Sequence, residues 1–196
     1  MTITEQDIET LAIDLLKAQG YHYLSGPDIL PGGSEPLRQQ LDEVILERLL
    51  KQAIARINPD VPRQAQEDAL SQVKQLYSPD LITTNELFHR MLTEGVTTTV
   101  NQGGQQRGYP VRLIDFNYPA NNTFRVINQF AVRDHGHTKR IDLLLMMNGL
   151  PLVVIELKKP DDARATLESA FKQLQTYKQA IPNLLDYNSL LVIGNG

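Results

Sequence analysis

The chain has 196 residues, of which 41% are hydrophobic, and its formal net charge at pH 7 is −4. This length and composition predict one globular domain over residues 1–196, and the absence of a leader peptide or a long apolar run predicts a cytoplasmic protein with no membrane partner. The absence of cysteine excludes a disulfide framework and a thiolate zinc site.

The first half of the sequence is predicted to be helical. Residues 5–18 have apolar side chains at helical spacing, with Thr4 as a cap and Gly20 as a stop signal. A turn-rich stretch follows over residues 25–36. Further helices are predicted over 36–57, 62–77 and 84–93, and a polar, Gly-rich loop over 101–108.

The second half of the sequence is predicted to be rich in strands. A helix ending near Pro182 and an apolar run over 189–193 follow these strands. The pattern predicts an α/β domain with a mixed central sheet flanked by helices, a helical N-terminal part over about 1–95 and a sheet-rich core over about 109–196. The predicted strands are 110–117, 123–133, 140–147 and 152–158.

Residues 142–158 form a predicted hairpin that carries charge in an apolar setting. Asn148-Gly149 is a strong turn signal. A three-residue loop would oppose Asp142 to Glu156 and point Lys158 to the same face. A two-residue loop would send Glu156 to the other face, so convergence of the charges requires an odd loop or a bulge.

Two carboxylates beside a lysine predict a metal site. Oxygen ligands suit Mg²⁺, with Mn²⁺ able to substitute, and Lys158 would position a water molecule or offset charge on a phosphate. Hydrolysis of a phosphodiester is the chemistry that such a site predicts. The alternative is that Glu156 and Lys158 form a half-exposed ion pair worth about 0–1 kcal/mol, with Asp142 an ordinary residue at a strand edge.

Two further candidate site residues lie on the predicted helix that ends near Pro182. Gln173 and Tyr177 are four residues apart and therefore share a helix face; the alternative is a core tyrosine with a solvated glutamine beside it. Asp161 or Asp162 is predicted to cap this helix.

The hairpin and the segments around it resemble a known family. Asp142 with Glu156-Leu157-Lys158, followed by a helix, resembles the PD-(D/E)xK nuclease superfamily, although Ile141 stands where the superfamily name has proline. Four segments resemble the N-terminal nuclease domain of the restriction (R) subunit of type I restriction-modification enzymes. They are VRLIDF at 111–116, VINQFAV at 126–132, GLPLVVIELKK at 149–159 and AFKQLQTY at 170–177.

The resemblance implies roles for individual residues. Asp142 and Glu156 would bind Mg²⁺, and Lys158 would assist hydrolysis of DNA. Gln173 and Tyr177 match a Gln-x-x-x-Tyr motif that supports the active site or contacts DNA. An acidic residue on the first core helix often completes the metal site in the superfamily, and Glu43 on the predicted 36–57 helix is the match, with an exposed helix carboxylate as the alternative.

The resemblance also implies partners. These are double-stranded DNA and the modification and specificity subunits of an ATP-dependent restriction complex. No Walker loop occurs in this sequence, so ATP binding is expected only in a motor downstream, and the chain is expected to be a fragment of a longer subunit. The alternatives are a catalytically silent DNA-binding or docking module, and a stand-alone nuclease of repair or phage defence.

The charge distribution makes the sheet-rich half the better candidate for DNA contact. Residues 1–80 have 7 basic and 13 acidic side chains, whereas residues 81–196 have 12 basic and 10 acidic side chains. Affinity for a phosphate backbone comes mainly from Lys and Arg. The candidate backbone contacts are Arg125, Arg133, Lys139, Arg140, Lys159, Lys172 and Lys178, each of which is equally compatible with an ordinary solvated charge.

Overall fold

The computed structural model describes residues 4–159 and 167–194 of the chain. It contains α-helices, β-strands and one short 3₁₀ helix over Pro119–Asn121. Within the described residues, no helix has both the length and the apolar character needed to cross a lipid bilayer. The α-helices are α1 (Glu5–Ala18), α2 (Glu47–Ile57), α3 (Arg63–Lys74), α4 (Leu81–Glu94), α5 (Leu167–Ala180) and α6 (Pro182–Leu185).

The strands form two sheets. They are β1 (His22–Ser25), β2 (Val96–Gln102), β3 (Gln105–Val111), β4 (Phe124–Asp134), β5 (His137–Met147), β6 (Leu150–Leu157) and β7 (Leu190–Gly194). Five of them form a sheet in the order β1-β4-β5-β6-β7, and β2 pairs only with β3. The β1/β4 and β6/β7 pairs are parallel, whereas two-residue connections make β4, β5 and β6 antiparallel hairpin neighbours. The predicted α/β class with a mixed central sheet is therefore confirmed.

The described chain separates into two compact units. Unit one consists of Met1–Val44, Phe124–Met146 and Pro151–Gly196, and it contains the five-stranded sheet. Helix α1 packs on this sheet through a cluster of buried apolar side chains. Burial of such side chains contributes about 1.5–3 kcal/mol each. The members of this cluster are Ile8, Ile13, Val126, Leu143 and Leu157.

Unit two consists of Ile45–Thr123 and Met147–Leu150. Its core is formed by the apolar faces of α2, α3 and α4, together with the base of the β2–β3 hairpin. The buried side chains include Leu50 and Ile54 of α2, Ala69 and Val73 of α3, and Phe88 of α4.

The predicted first helix is confirmed. Thr4 and Asp7 form a capping box, in which each side chain accepts a hydrogen bond from the backbone N–H of the other residue. Gly20, at φ 95°, follows the helix end. The cap that was predicted at Asp161 or Asp162 lies outside the described residues.

The long helix predicted over 36–57 is wrong for its first half, because only Glu47–Ile57 is helical. The segment before it is irregular and is held by contacts that a helix could not make. The backbone N–H groups of Leu37 and Arg38 both donate to the Ile29 carbonyl. The buried Arg38 guanidinium lies 3.8 Å from the Phe130 ring centroid and donates to the Ala131 carbonyl at 2.6 Å.

A hairpin was missed where a polar loop was predicted over 101–108. Strands β2 and β3 pair from Val96 opposite Val111 to Gln102 opposite Gln105. Only Gly103 and Gly104 lie between them, both with positive φ, which is the conformation that a two-residue hairpin turn requires. The predicted strand over 110–117 accordingly ends at Val111.

Candidate active site

The turn between β5 and β6 has two residues, which excludes the three-residue loop and leaves a bulge as the way in which the charged residues converge. Asn148 has φ 55° and Gly149 has φ 86°, and left-handed values at both positions define the tight hairpin turn that Asn-Gly favours. Asn148 is fully buried and donates to the carbonyl of Leu113 at 2.9 Å. The turn is thus fixed by contacts within unit two.

Despite this two-residue turn, Asp142 and Glu156 point to the same face of the sheet. Leu143 and Leu145 of β5 and Ile155 and Leu157 of β6 all pack on the cluster under α1. A regular two-residue hairpin would give these two pairs opposite faces. The pairing is therefore offset by one residue between the turn and Ile155, as in a β-bulge, and Asp142 and Glu156 have the same parity.

Glu156, Lys158, Gln173 and Tyr177 form a closed ring of hydrogen bonds, which we call the site ring. The Lys158 ammonium donates to Glu156 Oε1 at 2.6 Å and to Gln173 Oε1 at 3.0 Å. Gln173 Nε2 donates to the Tyr177 hydroxyl at 2.7 Å, and this hydroxyl donates to Glu156 Oε2 at 2.9 Å. Since an ammonium can only donate, Lys158 fixes which end of the Gln173 amide faces it.

The site ring is buried, which rules out the alternative of a half-exposed Glu156–Lys158 pair. The Glu156 side chain is 1% exposed and that of Lys158 is 14% exposed. Burial of a charged group costs several kcal/mol unless hydrogen-bond partners compensate for it. Here each Glu156 carboxylate oxygen has such a partner. Tyr177 is also buried, and burial raises the pKa of its hydroxyl well above the usual value, so it remains a donor.

Asp142 lies beside the site ring, and its carboxyl has a raised pKa. Its Oδ2 accepts the backbone N–H of Leu157 at 2.7 Å. Burial, reinforced by the charges of Glu156 and Glu5, raises the pKa of Asp142 to about 7, although the Leu157 N–H and Lys158 act in the opposite direction. A cation placed here would relieve that unfavourable charge.

Asp142 lines a cleft of about 410 Å³, which the sequence did not predict. Two carboxylates of α1, Glu5 and Glu9, line this cleft together with Asp142. Glu9 is held in place because it accepts hydrogen bonds from the Asn128 amide at 2.7 Å and the Gln129 amide at 2.5 Å. The available signal was the four-residue spacing of Glu5 and Glu9 on a helix whose prediction was right.

Glu43 does not lie where the sequence placed it. It belongs to the irregular segment before α2, is exposed, and accepts the Gln39 backbone N–H at 2.7 Å. It is not among the residues that line the cleft. Over the ranges 4–159 and 167–194, no group of three or more His, Cys, Asp or Glu side chains is arranged to hold a metal ion.

The comparisons with known proteins agree with one another. A family profile described as the type I restriction enzyme R protein N terminus matches residues 2–196. The type I restriction enzyme HindI endonuclease subunit of Haemophilus influenzae is 36% identical over 195 residues, which are 99% of this chain and 18% of that protein. A putative type I restriction enzyme endonuclease subunit, MjaIXP, of Methanocaldococcus jannaschii is 32% identical over 96% of this chain and 18% of its own length.

A third relative matches a shorter stretch. The SsaAORF53P endonuclease subunit of Staphylococcus saprophyticus is 37% identical over 85 residues. The chain thus spans 18% of the length of the two relatives that it matches almost throughout. The profile match and these identities confirm the resemblance, and the chain belongs to the family of type I restriction enzyme R protein N termini.

Proposed function

We propose that this chain is the nuclease domain of a type I restriction R subunit with a PD-(D/E)xK core, and that it hydrolyses DNA phosphodiester bonds with Mg²⁺. The observation that carries the proposal is the site ring beside Asp142. A buried glutamate and a nearly buried lysine lie beside a second carboxylate, Asp142, whose pKa is near 7 and which lines an open cleft. A carboxyl group of raised pKa that lies in a cleft, next to other charged groups, is typical of catalytic sites.

The donor atoms fit a hard divalent cation. Oδ2 of Asp142 accepts the Leu157 N–H, while Oδ1 accepts no hydrogen bond from the residues that the structure describes. Each Glu156 oxygen has one partner, and an ionised carboxylate offers about four lone-pair sites in all. Asp142 and Glu156 would hold Mg²⁺ or Mn²⁺ together with water molecules. Among the other carboxylates, Glu5 and Glu9 line the cleft, whereas Glu43 does not.

A bound Mg²⁺ would supply Lewis-acid polarisation of a phosphoryl oxygen and a coordinated water of lowered pKa. The residues of the chain supply positioning and charge. Lys158 holds its ammonium between Glu156 and Gln173, where it can stabilise negative charge that grows on a phosphate. Tyr177 and Gln173 restrain both members of that pair, so we assign them as positioning residues.

The partners follow from the same proposal. The substrate is double-stranded DNA, and the working assembly includes modification and specificity subunits. ATP would act on motor domains of the longer subunit and not on the residues of this chain. The names of the relatives, which are endonuclease subunits of type I restriction enzymes, support this assignment.

The test is a cutting assay on plasmid DNA with the intact subunit, its partner subunits, ATP and Mg²⁺. We expect Glu156→Gln and Lys158→Ala each to reduce cutting by at least about a hundredfold, because each removes a charge from the reacting centre. Chelation of Mg²⁺ should abolish cutting, and Mn²⁺ should restore it.

Two variants of α4 serve as controls. Arg90→Ala and Glu86→Gln alter an exposed ion pair, whose side chains are 56% and 70% exposed, and should leave cutting unchanged. If Glu156→Gln and Lys158→Ala cut as fast as these controls, the chain is a silent DNA-binding or docking module and the catalytic assignment is wrong.

A further inference from the structure

The β2–β3 hairpin has a buried base and an exposed tip. At the base, Val96, Thr98 and Val100 are buried on the face that packs against α3. From residue 101 to residue 107, every side chain is exposed. The tip therefore extends beyond the packed part of unit two and adds nothing to its core.

The tip and the residues that flank it carry positive charge and no negative charge. Between Gly95 and Ile114 the sequence contains no Asp, Glu or Lys, and its two charges are Arg107 and Arg112. The chain as a whole has a net charge of −4, so this stretch stands apart. No aliphatic or aromatic side chain occurs over 101–107, which argues against an apolar protein surface or a lipid surface as the partner.

Some of the tip side chains are committed to the hairpin itself. Asn101 Oδ1 accepts the Gly104 N–H at 3.1 Å, and Gln102 Oε1 accepts the Tyr109 hydroxyl at 3.1 Å. These contacts fix the shape of the turn and leave its neighbours available for an external partner.

Three side chains remain available. Gln105 and Gln106 make no side-chain hydrogen bond with the described part of the chain, and Arg107 makes no ion pair there. The Arg107 guanidinium lies 5.4 Å from the Tyr109 ring centroid, which restrains it without using its donors. Two amides and a guanidinium are thus exposed on one strand, where Gln105 and Arg107 share a face and Gln106 lies on the other.

We propose that this tip, residues 101–107, inserts into the major groove of double-stranded DNA. A two-stranded ribbon fits a groove about 12 Å wide, but not the minor groove at about 6 Å. Glutamine amides pair with base edges, and arginine contacts phosphate or guanine. The inference rests on the proposed function, because DNA is the polyanion that this function brings to the protein.

The test measures DNA affinity of the full 196-residue chain by fluorescence anisotropy, without divalent metal and at several salt concentrations. We expect Gln105→Ala/Gln106→Ala/Arg107→Ala to weaken binding about tenfold, and Arg107→Ala alone to lower the salt slope by about 1. The changed side chains are exposed, so the thermal unfolding curve should not move.

Arg63→Ala is the matched control. It removes one positive charge from a side chain of α3 that is 82% exposed in the same unit, and it should leave affinity unchanged. Equal affinities for the wild type, the triple variant and this control would overturn the proposal.

A second measurement identifies the groove. A duplex whose cytosines carry glucosylated 5-hydroxymethyl groups has an obstructed major groove. The wild-type chain should bind it as weakly as the triple variant binds unmodified DNA. Unimpaired wild-type binding to the glucosylated duplex would overturn the insertion of the tip.

The two proposals fail separately. If the triple variant binds DNA more weakly than the wild type but Glu156→Gln does not reduce cutting, only the catalytic assignment is contradicted. If Glu156→Gln abolishes cutting but the tip variants bind DNA as tightly as the wild type, only the hairpin inference is contradicted.

Discussion

Tyr177 has a hydroxyl that serves two neighbours at once. It donates to Glu156 and accepts from Gln173. Tyr177→Phe would leave a buried carboxylate oxygen and an amide unsatisfied, so we expect the free energy of unfolding to fall by about 1–3 kcal/mol. In the cutting assay we expect kcat to fall while KM is unchanged. The substitution removes the restraint on the Glu156 carboxylate, but it removes no contact with the substrate.

Tyr23→Phe is the control for this change. The Tyr23 hydroxyl donates to Asn128 at 3.1 Å from a side chain at the surface of unit one. We expect its loss to shift stability by no more than about 0.5 kcal/mol. If both phenylalanine variants unfold at the same denaturant concentration, the site ring does not stabilise the fold.

Asp142 predicts a particular dependence of stability on pH. Its pKa is about 7 in the folded chain and about 3.9 in an unfolded chain. Between these values the folded state keeps a proton that the unfolded state releases, so the free energy of unfolding falls as pH rises from about 4 to about 7. We expect Asp142→Asn to remove this decline and to be more stable than the wild type above pH 7.

The measurement is urea unfolding at pH 5 and pH 8 for the wild type, Asp142→Asn and Asp14→Asn, which changes an exposed carboxyl of α1. Burial raises the pKa of Asp186 to about 6 and adds a slope of the same sign, so only the difference between proteins is informative. A difference between Asp142→Asn and the wild type that does not vary with pH would contradict the raised pKa.

At the level of residues, the set Asp142, Glu156, Lys158, Gln173 and Tyr177 was chosen because it matches the nuclease family. Hairpin alternation and helical spacing are local properties, so the sequence alone could place Glu156 with Lys158 on one strand face and Gln173 with Tyr177 on one helix face. Their catalytic roles remain predictions. The acidic residues of α1 at the cleft could not be chosen in this way, because their proximity to Asp142 depends on tertiary packing.

At the level of elements, predictions succeeded where local signals were complete. Helix α1 has a capping box, an amphipathic face and a stop signal. The segment 36–46 has apolar residues at similar spacing but no cap, and its backbone bonds elsewhere, as when the Arg133 N–H donates to Leu41. The β2–β3 hairpin was missed because its polar, Gly-rich tip conceals the alternation of Val96, Thr98 and Val100.

The β5–β6 turn allows a test of packing at a glycine. A Cβ on Gly149 would lie 2.7 Å from the Leu46 carbonyl oxygen, and the residue has φ 86°. Gly103 in the β2–β3 turn also has positive φ, but a Cβ there would meet nothing within 4 Å. We expect Gly149→Ala to cost about 1–3 kcal/mol more than Gly103→Ala, because only the first adds a clash to backbone strain.

Thermal unfolding of both alanine variants is sufficient for this comparison. Equal Tm values would show that the neighbouring backbone shifts freely, contrary to the tight packing inferred here.

At the level of the whole molecule, the relationship to the HindI subunit suggests an exchange. The match extends over 99% of this chain, so a hybrid subunit can be designed in which this chain stands in place of the matched residues. We expect the hybrid to cut DNA in the assembled complex and the Lys158→Ala hybrid to be inactive. A hybrid that assembles normally but never cuts, although the unaltered HindI subunit does, would contradict the proposed function.

The coarse fold class could be predicted from the order of helical and strand patterns, but the division into two units could not. Neither unit is one continuous stretch of sequence, since residues 147–150 belong with residues 45–123. No change in composition marks such a boundary. Contacts between distant segments define it, and single-sequence patterns do not report those contacts.

The last strand, β7, is needed to hold the main chain at Lys158, so a C-terminally truncated product would be affected. Lys158 donates its backbone N–H to the Gly194 carbonyl at 2.8 Å, and β6 has β7 as its parallel neighbour. A stop codon placed after Leu185 would leave every side chain named for catalysis in the translated product. That product would nevertheless lack the carbonyl that accepts the Lys158 N–H, so the main chain that carries the catalytic ammonium would lose this anchor.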